Sequence, residues 1–173
     1  IIKDESGIKT ANGVAPRVYY KLTSDSNIYA SNDATRAGWK WTEATKMDDT
    51  TYAFILDFSK LNIAPQAGDS IGYFLIASDS SMIGNVRMDG ANPSYKASSV
   101  DLTPAHFPVT GLIYSYVIKD SVGGIFTVGT NGDFLNFTGD YGAFRHLEGK
   151  LITSPIEFRV ISDINEPTTH ALN

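Results

Sequence analysis

Cysteine is absent from the 173 residues, which excludes disulfides, thiolate nucleophiles and cysteine-ligated metals together. Positive charge is scarce, with 14 Lys and Arg against 19 Asp and Glu, a net of -5 and no basic cluster. A nucleic-acid partner is therefore not expected, because neutralising phosphates needs a concentrated positive face. No apolar run approaches the roughly 18 residues of a membrane span. No charged-then-apolar signal segment opens the chain, which begins at Ile1-Ile2-Lys3 and reads as the interior of a longer polypeptide. Convincing helical periodicity is also missing before Lys119.

What remains is material for a β core. Hydrophobic residues make up 42% of the chain and include 9 Tyr, 9 Phe and 2 Trp, so disorder is not expected. Arg17–Leu22 alternates, with Val18, Tyr20 and Leu22 on one face and Arg17, Tyr19 and Lys21 on the other, as a half-buried strand does. Trp39–Ala44 alternates next and puts Trp39 and Trp41 on one face. Thr51–Phe58 has the cleanest pattern, with Tyr52, Phe54, Leu56 and Phe58 inward. Ile71–Ala77 is apolar on both faces and is predicted to be a central strand. From Ser78 to Phe107 the pattern dissolves into a long connection or short strands of weak signal, before Leu112–Ile118 alternates again with Leu112, Tyr114, Tyr116 and Ile118 inward. These strands and their turn signals predict a mainly β fold, a sandwich over residues 1–119, with a barrel as the alternative.

Composition changes at Asp120-Ser121-Val122-Gly123-Gly124, read as a hinge into a second segment, residues 120–173. It carries a short strand at Ile125–Val128, a tight turn at Asn131-Gly132-Asp133, and an amphipathic helix between Gly139 and Glu148 stopped by Gly149. The helix follows from Tyr141, Phe144, Leu147 and Leu151 at helical spacing, and a further strand spans Pro155–Ile161. Strand, helix and strand alone bury too little apolar surface for stability, so this segment is expected to lean on the sandwich or on further chain.

Chemistry-bearing motifs are few. Gly68-Asp69-Ser70-Ile71-Gly72 spells the G-x-S-x-G nucleophile elbow, but a turn precedes the serine and a strand follows, the reverse of the context an elbow needs. His106, His146 and His170 lack metal-ligand neighbours at close spacing. Asp25, Asp33, Asp48, Asp49, Asp79, Asp89 and Asp101 sit in loops where calcium is an option, although Asx turns account for them and no EF-hand spacing is visible. Asn136-Phe137-Thr138 fits a glycosylation sequon. The ligand-binding candidates are Trp39 and Trp41, whose shared face could stack a sugar, against the alternative that both belong to the core. No catalytic, cofactor-binding or metal-ligating residues are assigned.

Three stretches together resemble a pattern in very large surface exoproteins of gliding bacteria that use type IX secretion. Ala15–Lys21 with Gly38–Ala44 resembles the opening of an immunoglobulin-like or fibronectin-III-like module, and Ala67–Asp79 is similar to its central strand. Gly124–Gly129, with Gly132-Asp133-Phe134 and Ser154-Pro155-Ile156, resembles the start of the parallel β-helix that follows such a module. The resemblance implies an immunoglobulin-like β-sandwich and a strand-helix-strand β-helix cap in a secreted or cell-surface protein of adhesin or stalk type. It brings no cofactor and no catalytic residue. Expected partners are protein or glycan surfaces, with self-association through an unpaired sheet edge a further option. The functional expectation is a non-catalytic structural or adhesive module. The rivals are a carbohydrate-binding module using Trp39 and Trp41, a filament-forming subunit, and a hydrolase using Ser70.

Overall fold

Alternation in Arg17–Leu22 produces a strand, but a strand whose two faces are both covered. The structure, a computed structural model, describes residues 2–82, 84–91 and 96–167 and is mainly β. Its contacts divide the chain into two units, Ile1–Ile118 and Lys119–Asn173.

In the first unit the strands are β1 (Arg17–Leu22), β2 (Lys40–Glu43), β3 (Thr45–Lys46), β4 (Tyr52–Ala53), β5 (Ser70–Ser78), β6 (Val86–Asp89) and β7 (Tyr114–Val117), with 3-10 turns at Phe58–Lys60 and Pro104–His106. Five strands form one antiparallel sheet in the order β2-β1-β5-β6. The first half of β5 pairs with β7 and the second half with β6. β3 and β4 form a separate two-stranded ribbon.

Register decides which side chains share a face. Tyr19 lies opposite Trp41 on β2 and Phe74 on β5, and with Trp39, Ile76, Ala97, Val100, Leu102 and Val109 it forms one core. On the other face Tyr20 and Leu22 join Ile71 and Leu61, with Leu56, Phe58, Tyr73 and Ile118 packed around them. All six β1 residues are buried, which corrects the half-buried expectation for this strand. The cover over the Tyr19 face is largely irregular chain from 97 to 109 rather than regular strand.

Irregular chain on an apolar face must still satisfy its backbone polar groups. The Tyr19 hydroxyl does this twice, donating to the Val100 carbonyl at 3.0 Å and accepting from the Leu102 N–H at 2.9 Å. Its ring stacks on Phe74 at 5.1 Å with 5° between planes. Farther along, the Asn27 side-chain amide donates to the Val109 carbonyl. Burial pushes the Tyr19 phenol up to about 12, against the lowering effect of its bond from Leu102.

Three other expectations change. Thr51–Phe58 keeps its alternating burial, but only Tyr52–Ala53 is paired, Phe58 already opens a 3-10 turn and Ile55 is 80% exposed. Alternation there reports which side faces the core, not a ladder. The 78–107 connection contains β6, whose Val86 and Met88 pack on the Tyr19 core while Arg87 and Asp89 face the other way. Within Leu112–Ile118 only Tyr114–Val117 forms β7, at the sheet margin; Ile118 packs on the Tyr20 core, but Leu112, Tyr114 and Tyr116 are exposed rather than sealed.

In the second unit β8 (Ser121–Val128) and β9 (Leu151–Val160) run parallel, joined through a turn and the short helix α1 (Ala143–Leu147). The predicted hinge at 120–124 therefore lies mostly within a strand. Gly123 fits there because β9 bulges at 153–155, where a Cβ on Gly123 would stand 2.0 Å from the Ser154 hydroxyl. The expected turn forms at Asn131-Gly132-Asp133, with the Asp133 carboxylate accepting from the Thr127 N–H and hydroxyl. The helix is shorter than expected and its predicted apolar face is not buried: Tyr141 is 93% exposed and Phe144 and Leu151 are exposed too. Val122, Val128 and Ala143 are buried, and beside them lies a cluster of half-buried rings, with Phe126 against Phe134 and Phe158, and Phe137 against the more exposed Phe144 and against Phe158.

Tyr19→Phe keeps the stacked ring but strands the Leu102 N–H and the Val100 carbonyl in a buried site. We expect a loss of about 1–3 kcal/mol in urea unfolding with an unchanged slope; an unchanged midpoint would mean these bonds do not anchor the connection.

Candidate functional site

The tryptophan pair does not make a two-ring platform. Trp39 is fully buried, edge-on to Phe74 at 4.9 Å, and its indole N–H donates to the Asn27 side chain at 2.6 Å. Trp41 is half-buried, and the Arg17 guanidinium lies over its ring at 3.8 Å from the centroid. That guanidinium is fixed by Glu43 at 3.1 Å and Asp101 at 2.5 Å, so one face of the indole is occupied. A sugar stacked across both indoles has no place to lie.

The loop between β1 and β2 is held from inside by two buried lysines. Lys40 Nζ donates to the carbonyls of Asp33 and Arg36, and Lys21 Nζ donates to those of Leu22, Thr23 and Asp25. Burial lowers both ammonium pKa values, and nearby carboxylates oppose the shift: Asp25 for Lys21, Asp33 and Asp25 for Lys40. The carbonyls of this loop thus receive ammonium protons rather than facing an open cavity.

The other loop acids are mostly engaged locally. Asp48 accepts from the N–H groups of Thr50 and Thr51, and Asp79 from Ser81 and Asn85. These bonds hold the Asp48 and Asp79 carboxyls below the usual carboxylate range. Asp49 pairs with Lys46, Asp101 with Arg17, and Asp89 accepts from Tyr114. Among the described residues no three such side chains converge to hold a metal ion.

Ser70 opens β5 directly after the Gly68 turn, and no helix follows it. The strand–turn–helix order of a nucleophile elbow is not met. His106 Nδ1 accepts from the Thr103 N–H at 2.8 Å, and the His146 ring packs against Phe126 and Phe134. His170 lies outside the described residues. The Asn136 side chain of the sequon accepts from the Gly139 N–H.

Two features were not read from the sequence as sites. One is a tyrosine-lined stretch of the sheet face that carries Tyr20. Tyr73 pairs with Tyr114 and Ile71 with Tyr116, so the three tyrosines share that face, 5.6 and 6.1 Å apart by ring centroids from Tyr73. Two residues along β5, Leu75 pairs with Asp89 and Ala77 with Arg87, on the same face. They floor and flank an open cleft of about 600 Å³, bordered on its other side by Lys3 and Asp4. The Tyr114 hydroxyl donates to Asp89 at 3.2 Å, which joins the tyrosines to the cleft. The second feature is the β8–β9 ladder: apart from the Val128–Phe134 bridge, the two strands pair only with each other among the described residues.

No protein-family model, curated protein or solved structure matches the chain.

The burial of Trp39 is directly measurable. In Trp41→Phe, Trp39 is the sole indole, and its fluorescence should be blue-shifted and nearly insensitive to acrylamide; efficient quenching would contradict its place in the core.

Proposed function

We propose that this chain is a non-catalytic structural or adhesive module of a secreted or cell-surface protein, with an immunoglobulin-like unit followed by the first turn of a parallel β-helix. The observation that carries the reading is the β8–β9 pairing. Parallel strands joined by a turn and a short helix place Phe126 beside Phe158 and Val128 beside Val160, like upon like. Such in-register stacking is how solenoid coils bury a continuous core. Parallel sheets occur mostly with both faces covered, and a two-stranded sheet is marginal alone. On β9, Leu151, Ile152 and Val160 are exposed, as an outer coil awaiting a neighbour would leave them.

The five-stranded antiparallel sheet supports an immunoglobulin-like reading of residues 1–118, with irregular chain taking much of the second layer. Export fits a chain without cysteine and with only 19% charged residues, and type IX secretion is the route implied by the resemblance. No helix among the described residues is long and apolar enough to cross a membrane. The module would act by presenting the loops and faces of its sheet.

An antibody against the full chain should label intact cells of the producing organism without permeabilisation, and brief external protease treatment should remove the signal. Labelling that requires lysis would contradict a surface role.

A further inference from the structure

We propose that the Tyr73, Tyr114 and Tyr116 face, with the adjoining Asp89–Arg87 cleft, binds a neutral oligosaccharide. This deepens the adhesive reading by naming what the module grips, and it rests on that reading for its biological purpose only.

The rings are both exposed and held. Tyr114 is 37% exposed and Tyr116 38%, and neither is mobile filler on a loop, since both stand on a paired strand. Tyr114 is braced from beneath by Gly90, where a Cβ would lie 2.4 Å from the ring. Gly90 also has φ of 79°, so its conformation and its missing side chain serve the same end. The bond to Asp89 fixes the hydroxyl end and raises the phenol pKa. A ring set this way offers a flat apolar plate with a polar tip, at little ordering cost on binding.

The cleft supplies the complementary polar groups. Asp89 presents acceptor oxygens, and Arg87, which makes no ion pair among the described residues, presents guanidinium donors. Its volume of about 600 Å³ falls in the range of small-ligand sites, unlike a flat protein interface. Hydroxyl groups need such mixed donors and acceptors beside an aromatic plate. Asp4, Asp79 and Asp89 against Lys3 and Arg87 leave the site without excess positive charge, and the chain carries a net charge of -5, so an acidic glycan is disfavoured.

The test uses the purified full chain on immobilised neutral polysaccharides: cellulose, xylan, mannan and β-glucan. Retention on at least one is expected, with about tenfold weaker binding for Tyr114→Ala and for Tyr116→Ala. Tyr114→Phe keeps the ring and should retain most of the binding, and near-ultraviolet circular dichroism should confirm that each variant is folded. Retention on none of the four, or binding that both alanine variants leave unchanged, overturns the proposal. Binding to cells that survives periodate oxidation of their glycans but not proteolysis would identify a protein partner, and also overturns it. Surface labelling of cells would stand in all these cases, so failure of this site is separable from failure of the adhesive role.

Discussion

The first unit depends on the two hydrogen bonds that the Tyr19 hydroxyl makes to backbone that belongs to no strand. A β-sheet with an apolar face must cover it, and the usual cover is a second sheet whose own ladders satisfy its polar groups. Much of the cover here is the 97–109 connection, which has few such ladders. A phenol rising from the middle of β1 accepts one backbone N–H and donates to one carbonyl, while its ring stacks on Phe74. The same side chain thus provides the apolar floor and the polar fastening. Trp39 extends the device, with its ring in the core and its N–H on Asn27, whose amide holds Val109.

The charged residues of β1 and β2 follow the same logic. Arg17, Lys21 and Lys40 are buried, which is costly unless each charge is compensated. Arg17 finds Glu43, Asp101 and the Trp41 ring, while the lysines find loop carbonyls. Their ammonium groups fasten the loop from inside. The polar 23–38 loop is thereby held beside the sheet, together with the stacking of Tyr29 on Phe107 and the burial of Ala30, and Trp39 is withdrawn from solvent in the process.

The strands legible in the sequence were those whose pattern was long or doubly apolar. Arg17–Leu22 and Ile71–Ala77 both read correctly as strands, and the central place of β5 followed from its two apolar faces. The full burial of β1 was not legible, because Arg17 and Lys21 look like solvent-facing residues until their partners from distant segments arrive. β6 escaped notice because Val86-Arg87-Met88-Asp89 alternates over only four residues within a Ser, Asn and Gly-rich stretch. Thr51–Phe58 was over-read, since period-two burial does not require a paired neighbour. The tyrosine face was hidden for a related reason: alternation in Leu112–Ile118 shows that Tyr114 and Tyr116 share a side, but only the register to β5 shows where that side lies uncovered. In the second unit, helical spacing of Tyr141, Phe144 and Leu147 marked a helix without marking its one buried residue, Ala143, or the rings of Phe126, Phe134 and Phe158 that His146 and Phe144 pack against.

The most direct measurement of this account is native-state hydrogen exchange at the Leu102 amide. Among the described residues its proton is bonded only to the Tyr19 hydroxyl, in a segment without regular structure, and the account predicts exchange as slow as that of the β1 amides of Tyr19 and Tyr20. Exchange at the rate of an open loop, with β1 still protected, would show that the connection is not fastened to the sheet and would contradict it.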